Sequence, residues 1–348
     1  MTQTNGTDHP RRDSAGEMMS LIGGAFAARL VHAAADLRIA DCLAGGPRDV
    51  GFIAEETKSH APSLARLLRA LTSIGVLNES AERHYGLTPL GATLRSDVPG
   101  SMRAWALLAF GDDQGRAWEA LPHAVRTGEQ AYRHIFGTDL WTRLAARPEA
   151  ARLFDDAMKS LTQGVYQLSA HYPFERFGWI VDVGGGNGSL LLPVLARHPA
   201  MRATVFDLPH VADAARLFIK EAGLSDRCDA VGGDAFVSVP SGADAYVLKG
   251  VVHDWENDDA VAILRTCRAA MGDGAKLLLI ERILPDRIDP DDLSVRAKFI
   301  TDINMFVNPG GRERTEAEFR DLLTKAGLRL ERIVTLPSPQ AVMEIGLA

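Results

Sequence analysis

The run Trp179-Ile180-Val181-Asp182-Val183-Gly184-Gly185-Gly186-Asn187-Gly188-Ser189 constrains this chain more than any other stretch, and Leu190-Leu191-Leu192-Pro193-Val194-Leu195 follows it directly. β-Branched and aromatic residues give way to glycines at alternate positions and then to an apolar helical pattern. This reads as strand, tight turn and helix. Glycine is needed there because so sharp a turn demands positive φ, and because a ligand lying on it needs backbone without a Cβ in the way. The ligand is nucleotide-like, and the spacing narrows it. A dinucleotide fingerprint reads G-x-G-x-x-G and seats pyrophosphate on the helix N-terminus. Here the pattern is G-x-G-x-G, with Ser189 in the place of the last glycine. Asp182, at the strand end, repels pyrophosphate and suits a cationic ammonium.

From Tyr172 onward, strand and helix patterns alternate. Strands are predicted near 179–183, 203–207, 228–232, 244–249, 276–282, 329–335 and 341–346. Helices are predicted near 189–198, 210–221, 257–271 and 315–326, with an extra one at 293–307. This alternation implies an α/β fold of mostly parallel strands joined by crossover helices, with ligands at the carboxyl ends of the strands. At those ends the chain places Gly184 to Gly188, then Asp207, then Asp234-Ala235-Phe236, then Lys249 and His253-Asp254-Trp255, then Glu281. Asp207 either opens a turn before Leu208-Pro209 or accepts both hydroxyls of a ribose. Asp234 is either a helix N-cap or an acceptor for an adenine amine. Lys249 is a surface charge or holds a carboxylate, and Trp255 is core or stacks on adenine. His253 follows the buried strand Tyr246-Val247-Leu248 at the functional edge, which marks it as a proton acceptor.

The first hundred residues read differently. Phe26, Leu30, Val31, Ala34 and Leu37 recur at helical spacing, as do Leu64, Leu67, Leu68, Leu71 and Ile74. Asn78-Glu79-Ser80 then reads as a turn and 84–88 as a short strand. Two helices and a β-wing outline a winged helix, so DNA binding must be weighed. Residues 1–110 carry eleven Lys and Arg against eleven Asp and Glu. Affinity for DNA comes largely from basic side chains neutralising phosphates, and Arg66 and Arg69 are no surplus. The module is better read as a dimerisation domain. Between 101 and 171 lies a second helical region with Trp105, Phe110, Trp118, Phe136, Trp141, Phe154 and Met158, the residue types that line small-molecule pockets.

With 348 residues the chain suits two domains. The polar opening lacks the apolar stretch of a secretory signal, and no apolar run is read as approaching the ~20 residues of a membrane span. Three scattered cysteines, Cys42, Cys228 and Cys267, fit neither a disulfide framework nor a zinc site. These features point to a cytoplasmic protein. Asp254 beside His253 is a possible ligand pair, but no third ligand stands at a partner spacing, so no metal is expected.

Six motifs fall in order: Asp182-Val183-Gly184-Gly185-Gly186-Asn187-Gly188, Phe206-Asp207-Leu208-Pro209, Gly233-Asp234-Ala235-Phe236, Lys249-Gly250-Val251-Val252-His253-Asp254-Trp255, Glu281-Arg282-Ile283-Leu284-Pro285 and 308–315. Together they resemble the S-adenosyl-L-methionine (SAM)-dependent O-methyltransferases of plant caffeic acid and flavonoid metabolism and their bacterial relatives in polyketide and antibiotic tailoring. The resemblance covers nearly the whole chain. It implies a Rossmann-like class I methyltransferase domain at 172–348 with a seven-stranded, mostly parallel sheet. A winged-helix dimerisation domain at 1–100 and a helical region at 101–171 lining the acceptor pocket would precede it. It implies SAM bound by Asp182, Gly184, Gly186, Asp207, Leu208, Asp234, Ala235, Phe236, Lys249 and Trp255. It further implies His253 as general base flanked by Glu281 and Glu313, and acceptor contacts from Phe154, Met158, Asp254 and Asn308. The plant pattern has histidine where this chain has Val307, so a phenylpropanoid acceptor does not follow. The expected partners are a small aromatic acceptor and a second copy of the chain, with no nucleic acid and no membrane.

A phenol of pKa ~10 facing a histidine of ~6.5 makes complete proton transfer uphill by ~5 kcal/mol, against ~12 kcal/mol for an aliphatic alcohol near ~15.7. The base therefore argues for a phenol or enol. Two other readings are a SAM-binding relative that catalyses C- or N-methylation or a step without methyl transfer, and a DNA-binding regulator.

Overall fold

The computed structural model describes residues 14–161 and 164–348, and the chain divides into two units between Gly111 and Asp112. In the first unit, helices Ser14–Asp36, Ile39–Cys42, Val50–Glu56 and Ala61–Ser73 precede an antiparallel pair, β1 (Leu77–Glu79) and β2 (Tyr85–Leu87). Helix Val50–Glu56 starts where the Asp49 side chain accepts the Phe52 amide. Ala61–Ser73 is amphipathic, burying Leu64, Leu68 and Leu71 on one face against Ile39, Leu43, Ile53 and Tyr85. Asn78 and Glu79 lie in β1 rather than in the turn, because the turn is drawn back to 80–84, where the Ser80 amide donates to the His84 carbonyl at 2.9 Å. Helix Arg103–Phe110 also packs in this unit: Ala106 is buried in its core, and Arg103 Nε donates to the Ala35 carbonyl at 2.9 Å. Arg66 and Arg69 stand exposed.

Helix Ser14–Asp36, 23 residues, is long and apolar enough by length and composition to cross a membrane, the one such helix among the described residues. This corrects the sequence expectation that no apolar run approaches that length. Between Glu17 and Arg29 the hydropathy comes from Met18, Met19, Leu21, Ile22 and Phe26, spaced by Ser20, glycines and alanines that keep them from forming a long unbroken run of large side chains.

In the second unit, helices between Asp112 and His171 precede β3 (Trp179–Val183), β4 (Arg202–Asp207), β5 (Cys228–Gly232), β6 (Ala245–Lys249), β7 (Lys276–Leu284), β8 (Arg314–Thr315), β9 (Leu328–Thr335) and β10 (Gln340–Leu347). The sheet order is β5-β4-β3-β6-β7-β10-β9. β3 to β7 are parallel, and β10 runs antiparallel between β7 and β9. The two-residue β8 beside the end of β7 is too short to leave a periodic trace in the sequence. Alternate strand residues go to opposite faces. Val181, Val183, Tyr246, Leu248, Leu277 and Leu279 face helices Asn257–Ala270 and Glu316–Lys325, while Ile180, Val205, Val247 and Leu278 face Leu191–Arg197 and Pro209–Glu221. β3 pairs with β4 on one side and β6 on the other. Strand order therefore reverses at β3, and the glycine-rich turn leaves the sheet at the point where open α/β sheets form their ligand crevice.

Candidate functional site

The turn after β3 takes the conformation its composition requires. Gly184 has φ +70°, and a Cβ built on it would come within 2.7 Å of Val251. Its amide and that of Gly185 both donate to the Phe206 carbonyl. Gly186 also has positive φ, and a Cβ there meets nothing within 4 Å, so the turn is open on that side.

Asp182 is 1% exposed, and its Oδ2 is buried with no hydrogen-bond partner among the described residues. Burial pushes its pKa up to about 7, with Lys249 opposing. A buried carboxylate oxygen without a donor fits a cationic group placed against it. Lys249 is itself lowered by burial and held up by Asp182 and Glu281, so these residues share one electrostatic neighbourhood at the ends of β3, β6 and β7. Asp207 binds the turn: Oδ2 accepts the Gly186 amide at 2.8 Å and Oδ1 the Leu208 amide at 2.7 Å. The second lone pairs of those oxygens remain for ribose hydroxyls. Asp234 is exposed and accepts the Phe236 amide at 2.9 Å in a turn, and no helix begins there for it to cap. These residues suit SAM: Asp182 would meet a cationic ammonium, Asp207 a ribose, and the aromatic rings of Phe236 and Trp255, 4.8 Å apart and edge to face, would offer apolar faces to an adenine.

His253 lies in the turn Val252–Asp254 after β6. Its Nδ1 is 3.1 Å from Glu313 Oε1 and 3.6 Å from Glu281 Oε2, and its Nε2 is 3.6 Å from Asp254 Oδ1. A carboxylate only accepts, so Nδ1 carries a proton toward Glu313, and in the neutral ring it is Nε2 that holds the lone pair. A Cβ built on Gly250 would stand 3.5 Å from Nε2, so glycine keeps that side of the ring clear. Glu281 is fully buried; its Oε1 accepts the amides of Val251 at 3.1 Å and Val252 at 2.9 Å, which fixes the turn that carries the histidine. Burial alone would depress the imidazole, but Glu281, Asp254 and Glu313 outweigh it and raise the pKa to about 9. Burial pushes Asp254 up to about 7. The sequence arithmetic, which used ~6.5 for this ring, is corrected by these three carboxylates.

The ligand atoms of His253, Glu281 and Glu313 lie within 4.8 Å of one another, as do those of His123, Glu129 and His134. Sequence spacing hid the first group, whose members stand 28 and 32 residues apart, while the second lies within twelve residues and was not singled out. In the first group Nδ1 faces Glu313 and Oε1 of Glu281 accepts two amides, while Oε2 of Glu281 and of Glu313 are buried without a hydrogen-bond partner among the described residues.

Of the expected acceptor residues, Phe154 meets Trp141 edge to face at 5.7 Å, and Trp141 stacks toward Trp255 at 6.4 Å. An aromatic wall thus runs from helix Pro148–Leu161 to the cofactor side. Met158 lies on the same helix, partly buried. Asn308 is 1% exposed at the end of helix Leu293–Val307. Several contributors have no role that the sequence assigns, although Arg282 and Arg314 fall inside the motifs. Arg314 is fully buried and donates to the Val252 and Trp255 carbonyls at 3.0 and 2.7 Å, bracing both ends of the His253 turn. Arg282 reaches Glu313 at 3.4 Å, and the Asp302 carboxylate holds the Glu313 amide at 2.8 Å.

Comparison with known proteins agrees with this geometry. Residues 118–329 match the O-methyltransferase domain and residues 19–97 the O-methyltransferase dimerisation domain. A phenazine O-methyltransferase of Lysobacter antibioticus is 40% identical over 328 residues, 94% of each chain. The solved structure of an O-methyltransferase from neocarzinostatin biosynthesis, in complex with SAM and 2-hydroxy-5-methyl naphthoic acid, superposes with a TM-score of 0.79 at 36% identity, covering 92% of this chain and 96% of that one. An aclacinomycin 10-hydroxylase of Streptomyces purpurascens is 33% identical over 336 residues, 94% of this chain and 89% of its own. The glycine turn with its buried aspartate, the histidine among carboxylates and these matches lead to one assignment: the chain belongs to the SAM-dependent O-methyltransferases and carries their dimerisation domain.

Proposed function

We propose that the chain methylates an acidic hydroxyl of an aromatic secondary metabolite, with His253 as general base. The observation that carries this reading is the imidazole whose Nδ1 is held by Glu313 while Nε2, on the side that Gly250 keeps clear, can accept a proton once the ring is neutral. Bound SAM supplies a methyl group already activated by a sulfonium. The residues position the acceptor and take its proton: Glu313 orients the ring, Glu281 anchors its turn, and Asp254 stands beside Nε2 to receive the acceptor edge. Asp182, Gly184, Gly186, Asp207, Leu208, Asp234, Ala235, Phe236, Lys249 and Trp255 hold the cofactor in this reading. Phe154, Met158 and Asn308 line the acceptor, with residues 101–171 as its wall and 1–100 as the dimerisation domain.

The test is a panel of 1,4-dihydroxy-2-naphthoic acid, 3-amino-4-hydroxybenzoate and a hydroxyphenazine with SAM, with an aliphatic alcohol as control. Phenols should gain one methyl with stoichiometric S-adenosylhomocysteine. His253→Ala should lower turnover by about 10²–10⁴-fold, the usual contribution of a positioned base. Full turnover in that variant would leave proximity to the sulfonium as the whole of the catalysis. A second reading, SAM held without methyl transfer, is motivated by the hydroxylase relative; a modified acceptor without S-adenosylhomocysteine would establish it.

A further inference from the structure

Asn308 Oδ1 is buried and meets no hydrogen-bond donor among the described residues. The other end of the amide is tied down, since Nδ2 donates to Asn304 Oδ1 at 2.8 Å, one helical turn earlier. That same oxygen accepts the indole N–H of Trp118 at 3.1 Å. An indole nitrogen only donates, so the atom it meets on Asn304 must be the carbonyl oxygen. Only an N–H of Asn308 can then face that oxygen; a flipped amide would set two carbonyl oxygens against each other. The orientation of both amides is thus decided by one tryptophan. Gln130 Nε2 donates to the Asn308 backbone carbonyl and holds the main chain as well.

The chain links this network to the histidine turn. From Asn308 the chain runs five residues to Glu313, and on the way the Arg312 amide donates to the His253 carbonyl at 2.8 Å. Trp118 shares one apolar cluster with Trp141, Phe154 and Phe306, the wall assigned above to the acceptor.

We propose that Asn304, anchored by Trp118, is a positioning residue that holds the Asn308 amide with its carbonyl oxygen free, so that the site selects aromatic hydroxyls bearing a neighbouring N–H or O–H donor. The inference rests on the methyltransferase reading and names the acceptor class within it. A carbonyl buried without a donor favours a ligand that supplies one and disfavours the analogue that lacks it.

The test uses 3-amino-4-hydroxybenzoate and 4-hydroxybenzoate, which share the nucleophilic oxygen and differ by the amine. Wild-type protein should prefer the amine by about tenfold in KM and in the calorimetric Kd measured with S-adenosylhomocysteine present. Asn304→Leu should reduce that preference to about one, and Asn304→Asp, which keeps an oxygen able to accept both donors, should retain it. In an Asn308→Leu background, Asn304→Leu should change nothing further. Asn304→Leu that keeps the preference, or that weakens both ligands and SAM alike, overturns the inference. Wild-type protein that methylates 1,4-dihydroxy-2-naphthoic acid but does not discriminate within the pair overturns it and spares the methyltransferase reading. Protein that methylates no phenol overturns both.

Discussion

His253 is surrounded by more negative charge than a general base ordinarily meets, and the consequence is kinetic. With a pKa of about 9, roughly 1% of the rings are neutral at pH 7, a population cost of ~2.7 kcal/mol. Transfer from a phenol of pKa ~10 to the neutral ring then costs only ~1.4 kcal/mol. The sum, ~4 kcal/mol, is about 1 kcal/mol below that for an ordinary histidine. The carboxylates therefore change the total little and move the pH at which the base becomes available. On the acid side, kcat/KM should rise with pH through 7 and 8 and level near 9. Because Asp254 also titrates, near 7, the apparent values belong to the cluster rather than to one residue. Glu281→Gln keeps an oxygen for the Val251 and Val252 amides while removing the charge that favours the imidazolium. The acid limb should therefore move to lower pH, by about one unit, in a profile measured with a fixed phenolic acceptor. A limb centred near 6.5 in the wild type would show that the carboxylates are protonated and do not act on the ring.

At the scale of elements, the turn between β6 and helix Asn257–Ala270 depends on an arginine from β8. Arg314 lies 0% exposed and takes the carbonyls of Val252, Trp255 and Arg312 together with Asn257 Oδ1. Arg314→Met fills similar volume but strands several acceptors in the interior. Each costs ~1–3 kcal/mol when left unpaired, so a loss of about 3 kcal/mol is expected. For a unit of this size that is roughly 6–12 °C in Tm, with kcat falling as the His253 turn loosens; an unchanged melting curve would mean that water replaces the guanidinium. Arg314 also marks the limit of what was legible beforehand. The glycine turn, the seven long strands and helix 293–307 could be read because strand alternation, positive-φ glycines and helical spacing are local signals. Asp182 and Asp207 are legible because they stand at the ends of β3 and β4, whereas Glu281 lies inside β7, which runs on to Leu284 past the predicted strand. Arg314, Asn304, Gln130 and Trp118 act through contacts of long sequence separation, which leave no periodic pattern. The first unit was less legible: helix 103–110 looks like its successors in sequence, and only packing against Ala35 and His32 shows where it belongs.

For the whole molecule the open question is what covers helix Ser14–Asp36. Met18, Met19, Leu21, Ile22 and Phe26 are 51–70% exposed within nine residues, an apolar face of the kind that marks an interaction site. By length and composition the helix suits a membrane as well as a partner, but residues 19–97 match a dimerisation domain. The prediction is therefore that a second copy of the chain covers this face, a two-fold contact presenting the same face from both copies. Burying a large apolar side chain contributes ~1.5–3 kcal/mol. Ile22→Glu with Phe26→Glu alters four such side chains per dimer, so association should weaken by roughly 6 kcal/mol or more, at least four orders of magnitude in Kd. In sedimentation at micromolar concentration the wild type should run as a dimer and the double variant as a monomer. The double variant should still bind S-adenosylhomocysteine, because every residue assigned to the cofactor lies beyond Asp112. A double variant that remains dimeric would place the interface elsewhere in 19–97. Wild-type protein that sediments as a monomer but floats with lipid vesicles would assign the exposed helix to a membrane surface instead.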